Sequence, residues 1–560
     1  MSDLDLLIRG GTVIDGTGAD GRRADVGIAG GRIVEIGTIA PNGARVIDAE
    51  GHAVTPGFID AHTHMDAQMH WDALGTNSCW HGVTTVVMGN CGFSIAPMRS
   101  GQQHLVARNL ERAEDISGAA MDAGIDWRWE GFDEYLDVVD ALPKGINYAA
   151  YVGHSALRTW ALGERAFEQE ASDDDLEKMK AQLRLALDAG AVGLSTSRSD
   201  NHETSDDRPV ASRLASRDEL AALVGSMKGR RATFELAHEH RIPGTPEGDE
   251  YYSWLRNLTV TSGVTTTFGV LGRIWAQQIK EIDATIAAGG SMIGQTHCRG
   301  VSIIPSFLTN LPFDRLPVWN EFRKQPLDAQ IAGLHNPETR QALVDAVNNA
   351  VWGRFIGAEA RPPDWDDYYV YDRPLPPYRS VGEIAAQRGI APIEALIDIA
   401  LADDLQTLFM QPMTAIPDPD TVQLLRHPAT VMTFSDAGAH VGQISDACIH
   451  SHLIAHFCRE TQLLSLPEAI AMITTRAARA WNFADRGVIR EGAIADINIF
   501  DPDTFGPCVP KVVHDLPTGA RRLSQRATGM RATIVGGEVL IEESQHSGAL
   551  PGRLIRHTMH

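Results

Sequence analysis

Residues 54–64 read VTPGFIDAHTH, an apolar run that closes on two histidines one residue apart. The run 54–61 reads as a strand, and in an extended segment His62 and His64 point to the same side, because side chains repeat with period two. Both imidazoles can then converge on one ion. Working outward, seven further runs have the same texture: 84–90 (TTVVMGN), 146–153 (INYAAYVG), 191–197 (AVGLSTS), 232–238 (ATFELAH), 264–270 (VTTTFGV), 291–297 (SMIGQTH) and 430–436 (TVMTFSD). Helical stretches lie between them, which is the pattern of successive βα units on a parallel sheet. In the helix expected over 173–189, Ser172 is the cap, three aspartates follow it, and Leu176, Met179, Leu183 and Leu187 recur at helical spacing until Gly190. Eight such units are the count of an α/β fold of the (β/α)8 TIM-barrel type.

The two ends differ from this middle. Residues 5–15, 24–37 and 45–57 look like short strands broken by Gly-Gly turns, and 495–501 with 531–543 repeat the pattern. A small β domain built from both termini is expected, over 1–56 plus 486–543, with the barrel over 57–485. Between 297 and 430 the connection is too long for a barrel loop, so an insertion is placed at about 300–429. Within it, 361–378 (RPPDWDDYYVYDRPLPPY) concentrates proline and aromatic residues, which suits a lid over the mouth or a contact in a homo-oligomer. Residues 544–560 read as a frayed tail.

The chain has 560 residues, with 49 Lys plus Arg against 72 Asp plus Glu and a net charge of −23. Such acidity argues against nucleic acid as a partner, since duplex binding needs clustered cations. No run of about 18 apolar residues occurs and no basic leader opens the chain, so no membrane partner is expected and the location reads as cytoplasmic. Six scattered cysteines make no disulfide framework. Each is a buried hydrophobe or a functional thiol, and Cys91 stands apart from the rest.

Barrel chemistry sits where strands end. The first strand ends at Asp60, His62 and His64, the second at Gly89-Asn90-Cys91-Gly92, the fifth at His238-Glu239-His240, the seventh at His297-Cys298-Arg299, and the eighth at Ser435-Asp436. Imidazole and thiolate ligands converging on one mouth suit Zn2+, with a carboxylate left for proton transfer. Arg158 and Arg299 are candidates to hold a substrate carboxylate, because the guanidinium fork matches it, although a structural ion pair is the commoner role. His440 is as suited to orienting Asp436 as to touching substrate. The segment GHSAL at 153–157 lacks the second glycine of a nucleophile elbow. His450, His452 and His456 have helical spacing and read as a surface or oligomer face.

Taken together, DLLIRGGTVIDGTG, PGFIDAHTHMD, GNCGFSIAP, VGHSALR, TVMTFSDAGAH and DRGVIREGAIADINIFDPDT resemble the amidohydrolase superfamily, and within it the N-acyl-D-amino-acid deacylase branch, nearly end to end. The resemblance implies a zinc-bearing (β/α)8 barrel with a small β-sandwich from both chain ends, and hydrolysis of a small-molecule amide. By the same resemblance His62 and His64 match the first-strand metal pair, Cys91 the thiolate that replaces a carboxylated lysine, His238 the fifth-strand ligand, and Asp436 a metal ligand that also serves as the catalytic acid and base. One zinc site is expected, because the sixth strand has no histidine for a second tight position. His297 is the nearest substitute, and it joins Arg158, Arg299 and His440 as a substrate-contact candidate. A cyclic-amide or ester hydrolase on the same barrel and an inactive scaffold are the rival readings.

Overall fold

A computed structural model describes residues 4–41 and 43–558. The eight expected barrel strands pair in parallel in chain order, with one correction: the run 54–61 is two strands, Ala53–Pro56 joining the sheet of the chain ends and only Phe58–Asp60 joining the barrel. Phe58–Asp60 lies beside Val83–Met88, which lies beside Asn147–Ala150. The third strand resumes after Tyr151 as Val152–Gly153 and is followed by Gly193–Ser197, Thr233–Ala237, Thr265–Gly269, Met292–Thr296 and Thr430–Met432. Past Thr433 the last strand continues as Phe434–Ala437 and pairs with His62–Thr63 of the first. The order thus returns on itself in a mixed α/β, TIM-barrel-like arrangement whose ladder is interrupted at Ala61, Tyr151 and Thr433. Burial on both faces is why these strands read as near-continuous apolar runs; Val83–Met88 and Gly193–Ser197 are buried throughout.

The connecting helices follow the expected physics. Asp173–Ala189 begins where the Ser172 hydroxyl accepts from the Asp175 amide and ends at Gly190 with φ 110°. Met179, Leu183 and Leu187 are its buried stripe. The first connection departs from the pattern. It carries only the 3-10 turns Gln68–His70 and Ser78–His81.

Strands from both ends join in one nine-stranded sheet. Ile497–Phe500 pairs antiparallel with Ala53–Pro56 at the junction. Leu6, Ile8, Val26, Ile497 and Ile534 belong to its own apolar cluster. The insertion is also ordered. It carries five α-helices between Pro317 and Leu401 and a four-stranded sheet in which Ser302–Ile303 pairs with Phe409–Pro412. Its core centres on Phe313, Trp319, Leu396 and Phe409.

The end of the chain corrects the expectation of a frayed tail. Gly552, Ile555 and His557 donate backbone hydrogen bonds to Lys144, Tyr148 and Gly190, which ties the segment along the third strand. Among the described residues, no helix is long and apolar enough to cross a membrane.

Candidate metal centre

Alternation along the first strand turns Asp60, His62 and His64 inward, and all three are buried. Gln295 on the seventh strand bonds His62 Nδ1 through its Oε1, so the other ring nitrogen is left to face the mouth. That Nε2 lies 3.4 Å from Cys91 Sγ and 3.1 Å from Asp436 Oδ1. His64 Nε2 lies 3.5 Å from the same oxygen. One donor atom each from His62, His64 and Cys91 falls within 4.8 Å of the others. His64 Nδ1 is buried with no hydrogen-bond partner among the described residues.

The backbone is bent to present these groups. Cys91 has φ 56°, flanked by Gly89 at 80° and Gly92 at 76°. A Cβ on Gly89 would come 2.5 Å from the Tyr151 carbonyl oxygen, so GNCG is a backbone requirement as well as a ligand motif. Asp436 has φ 52° and His440 φ 51°, a left-handed conformation that costs free energy in a non-glycine residue and gathers at functional sites.

Electrostatically the centre is acidic and largely buried. Burial pushes the carboxyls of Asp60 and Glu235 each up to about 7, and burial beside Glu235 and Asp436 raises the Cys91 thiol. For Asp436 burial pulls upward as well, but hydrogen bonds from His62 and His64 hold it well below the usual carboxylate range. Packing three carboxyls around two imidazoles and a thiol is costly unless a cation compensates them. Imidazole, thiolate and carboxylate together are the donor set that zinc takes.

The centre opens into a cavity of about 310 Å³ lined also by Glu235, Arg361, His202, His238, His240 and His440. His238 stands in the wall outside the three-donor cluster, its Nδ1 2.6 Å from the Glu239 carbonyl and its Nε2 3.1 Å from Gln278 Nε2. His440 is also a wall residue, with Nδ1 3.3 Å from Gln443 Oε1.

Three expected substrate contacts are corrected. Arg158 is fully buried and paired with Glu219, which His154 Nε2 also meets at 2.9 Å. Its helix turns it into the protein interior. Arg299 and His297 face Asp446, at 3.3 and 3.6 Å, and neither lines this cavity. The surface role expected for His450, His452 and His456 is also corrected, since all three are buried.

Three residues of the site carry little signature in the sequence. Glu235 accepts from the Cys91 amide at 2.7 Å and lies 3.9 Å from His62 Nδ1. Its signal was a lone carboxylate in the middle of a buried strand. Gln295 carried a similar signal on the seventh strand. Arg361 opens the 361–378 stretch expected as a lid or a subunit contact, but nothing marked its guanidinium as a cavity group, because only the fold of the insertion brings it there.

Residues 45–541 match the sequence profile of the Amidohydrolase family. The D-aminoacylase of Alcaligenes xylosoxydans xylosoxydans is 28% identical over 99% of this chain and 98% of its own. A solved D-aminoacylase structure superposes with a TM-score of 0.66 at 24% identity, covering 99% of this chain and 100% of that one. The N-acyl-D-glutamate deacylase of Bordetella bronchiseptica, solved with zinc and a phosphonate inhibitor, gives 0.64 at 25% identity with coverage of 99% and 100%.

Proposed function

The chain belongs to the amidohydrolase family and is a hydrolytic enzyme, and from that premise we propose that it removes the acyl group from an N-acyl-D-amino acid, with one zinc ion as cofactor. The observation that carries the proposal is that one cavity holds the His62, His64, Cys91 and Asp436 donors together with a lone arginine, Arg361. The named relatives act on N-acyl-D-amino acids, which supports the substrate class. His62, His64, Cys91 and Asp436 would hold the zinc, with His238 next in the wall. When bound, zinc polarises a carbonyl and lowers the pKa of water to about 7.

Asp436 is ionised at neutral pH and stands ready as an acceptor. It takes the proton of the attacking water and returns it to the departing amide nitrogen, so that one group serves as base and then as acid. Gln295 fixes the His62 ring through Nδ1. Arg361 donates to the Gly357 carbonyl at 2.6 Å, while its Nε has no partner among the described residues. The rest of that guanidinium fork is available for the substrate carboxylate, and holding the carboxylate orients the scissile bond. In this reading residues 57–485 form the catalytic unit and the sheet from both ends a separate small β domain. The chain self-associates in this reading, with the Arg361–Tyr378 stretch of the insertion either at the subunit contact or folded over the mouth.

The test is hydrolysis of N-acetyl-D- and N-acetyl-L-amino acids by protein of known metal content. Zinc-dependent turnover of the D series is expected, and Arg361→Gln should lower kcat/KM by about 10- to 100-fold, the worth of a charged hydrogen bond. Turnover of a cyclic amide with none of either N-acetyl series would overturn the proposal. Light scattering that reads a monomer would remove the self-association.

A further inference from the structure

A second cavity of about 360 Å³ lies beside the catalytic one, and nothing in the proposed reaction uses it. The strip 412–415 separates the two, with Met413 and Thr414 lining the catalytic cavity and Pro412 and Ala415 the second. Arg299, His452, His456, Tyr369, Tyr378 and Met410 line the second cavity.

Its polar groups are poorly satisfied. The Arg299 side chain is only 6% exposed, and its Nε meets Asp446 at 3.3 Å. Among the described residues the hydrogen bonds of its two terminal nitrogens go to sulfur, Cys448 Sγ at 3.3 Å and Met410 Sδ at 3.8 Å, with the Tyr371 hydroxyl also beside the guanidinium. Sulfur is a weak acceptor, so a buried guanidinium with such partners has charged donors to spare. His452 is 4% exposed, and its Nδ1 has no hydrogen-bond partner among the described residues. The one carboxylate in the lining, Asp418, is committed to His456 Nε2 at 2.7 Å. Around these groups stand two tyrosine rings, a methionine and prolines. Apolar walls with a few unsatisfied polar groups are the make-up of a small-molecule site, and the volume lies in the usual range.

We propose that this cavity binds a small monocarboxylate with an aromatic or branched apolar body, its oxygens on the terminal nitrogens of Arg299 and its body against the packed Tyr369–Tyr378 pair, whose ring centroids are 5.7 Å apart. A carboxylate would replace two sulfur contacts with charge-assisted hydrogen bonds, which are shorter and stronger. The site is independent of the reaction proposed above, since Arg361 and the metal donors take no part in it.

The experiment is calorimetric titration of the zinc-loaded full chain with benzoate as the probe and inorganic phosphate as the control. A benzoate site that persists in Arg361→Gln is expected, separate from any carboxylate binding at Arg361 in the catalytic cavity, and it should be weakened about tenfold or more in Arg299→Gln, the loss of one charged hydrogen bond. Ala415→Trp changes an exposed rim residue, fills the mouth and leaves the Arg299–Asp446 pair intact, so it decides the matter if Arg299→Gln does not fold. It too should weaken benzoate by about tenfold or more, while Arg361→Gln leaves the affinity unchanged. Undiminished binding in Ala415→Trp, binding lost only in Arg361→Gln, phosphate binding as tight as benzoate, or no benzoate binding in the unmodified protein would each overturn the proposal.

Discussion

At the scale of single residues, Cys91 and Asp436 share an unusual backbone, both left-handed beside glycines that no side chain could replace. The conformation aims a thiol and a carboxylate at the same two imidazoles, and its cost is tolerated because the surrounding strands leave no alternative. The two residues should separate on mutation. Asp436→Asn keeps the size and an oxygen toward the metal but cannot carry the proton, so turnover should fall about 10²- to 10⁴-fold while zinc stays with His62, His64 and Cys91. Cys91→Ala should lose zinc and turnover together, because a strong thiolate ligand is gone. Metal content and rate measured on the same samples check both. Rescue of the Asp436→Asn rate by excess zinc would show a ligand rather than a proton carrier.

Among elements, the helices His154–Leu162 and Arg217–Gly225 show how a motif can mislead. GHSALR placed His154 and Arg158 on one face, and the tertiary fold turned that face inward, onto Glu219. Burial would raise the Glu219 carboxyl, but the hydrogen bond from His154 and the charge of Arg158 bring it down to about 2 from an ordinary 4.5. The folded state therefore binds this proton more weakly than the unfolded state, and acid favours unfolding. The stability Glu219 adds is fully present above pH 4.5 and is lost as the pH falls toward 2. Glu219→Gln strands a buried guanidinium and should cost about 3–5 kcal/mol at neutral pH. The variant should also show a flatter acid limb between those two pH values, as read by chemical denaturation at a series of pH values. An unchanged midpoint and slope would deny the network its structural role.

For the molecule as a whole, the candidate metal donors sit where the ring of strands comes back to its beginning. His62 and His64 are on the first strand, Cys91 follows the second, and Asp436 is on the eighth, whose Phe434 pairs with His62. A shared ion would link the first strand to both its neighbours. An ion that binds only the folded state stabilises it by mass action, about 4 kcal/mol at a thousandfold excess over Kd. Chelation should therefore lower Tm, and added zinc should restore it. The same titration on Cys91→Ala should show little response, and a Tm indifferent to chelator in the unmodified protein would place the ion elsewhere or nowhere.

What could be read from the sequence was whatever repeats locally or is adjacent along the chain. The eight parallel strands announced themselves because burial on both faces forces apolar runs, and the 173–189 helix because cap, stripe and terminal glycine are local features. His62 and His64 could be paired because strand alternation fixes their side, and Cys91 and Asp436 because each ends a recognisable strand. Which way Arg158, Arg299 and His297 face depends on what packs against them, and the tertiary structure gave each a buried acid instead of the cavity. Glu235 and Gln295 become partners of Cys91 and His62 only when strands far apart in sequence come together around one axis. Arg361 reaches the cavity because a long insertion folds back over the mouth, and no spacing along the chain records a contact made across the fold.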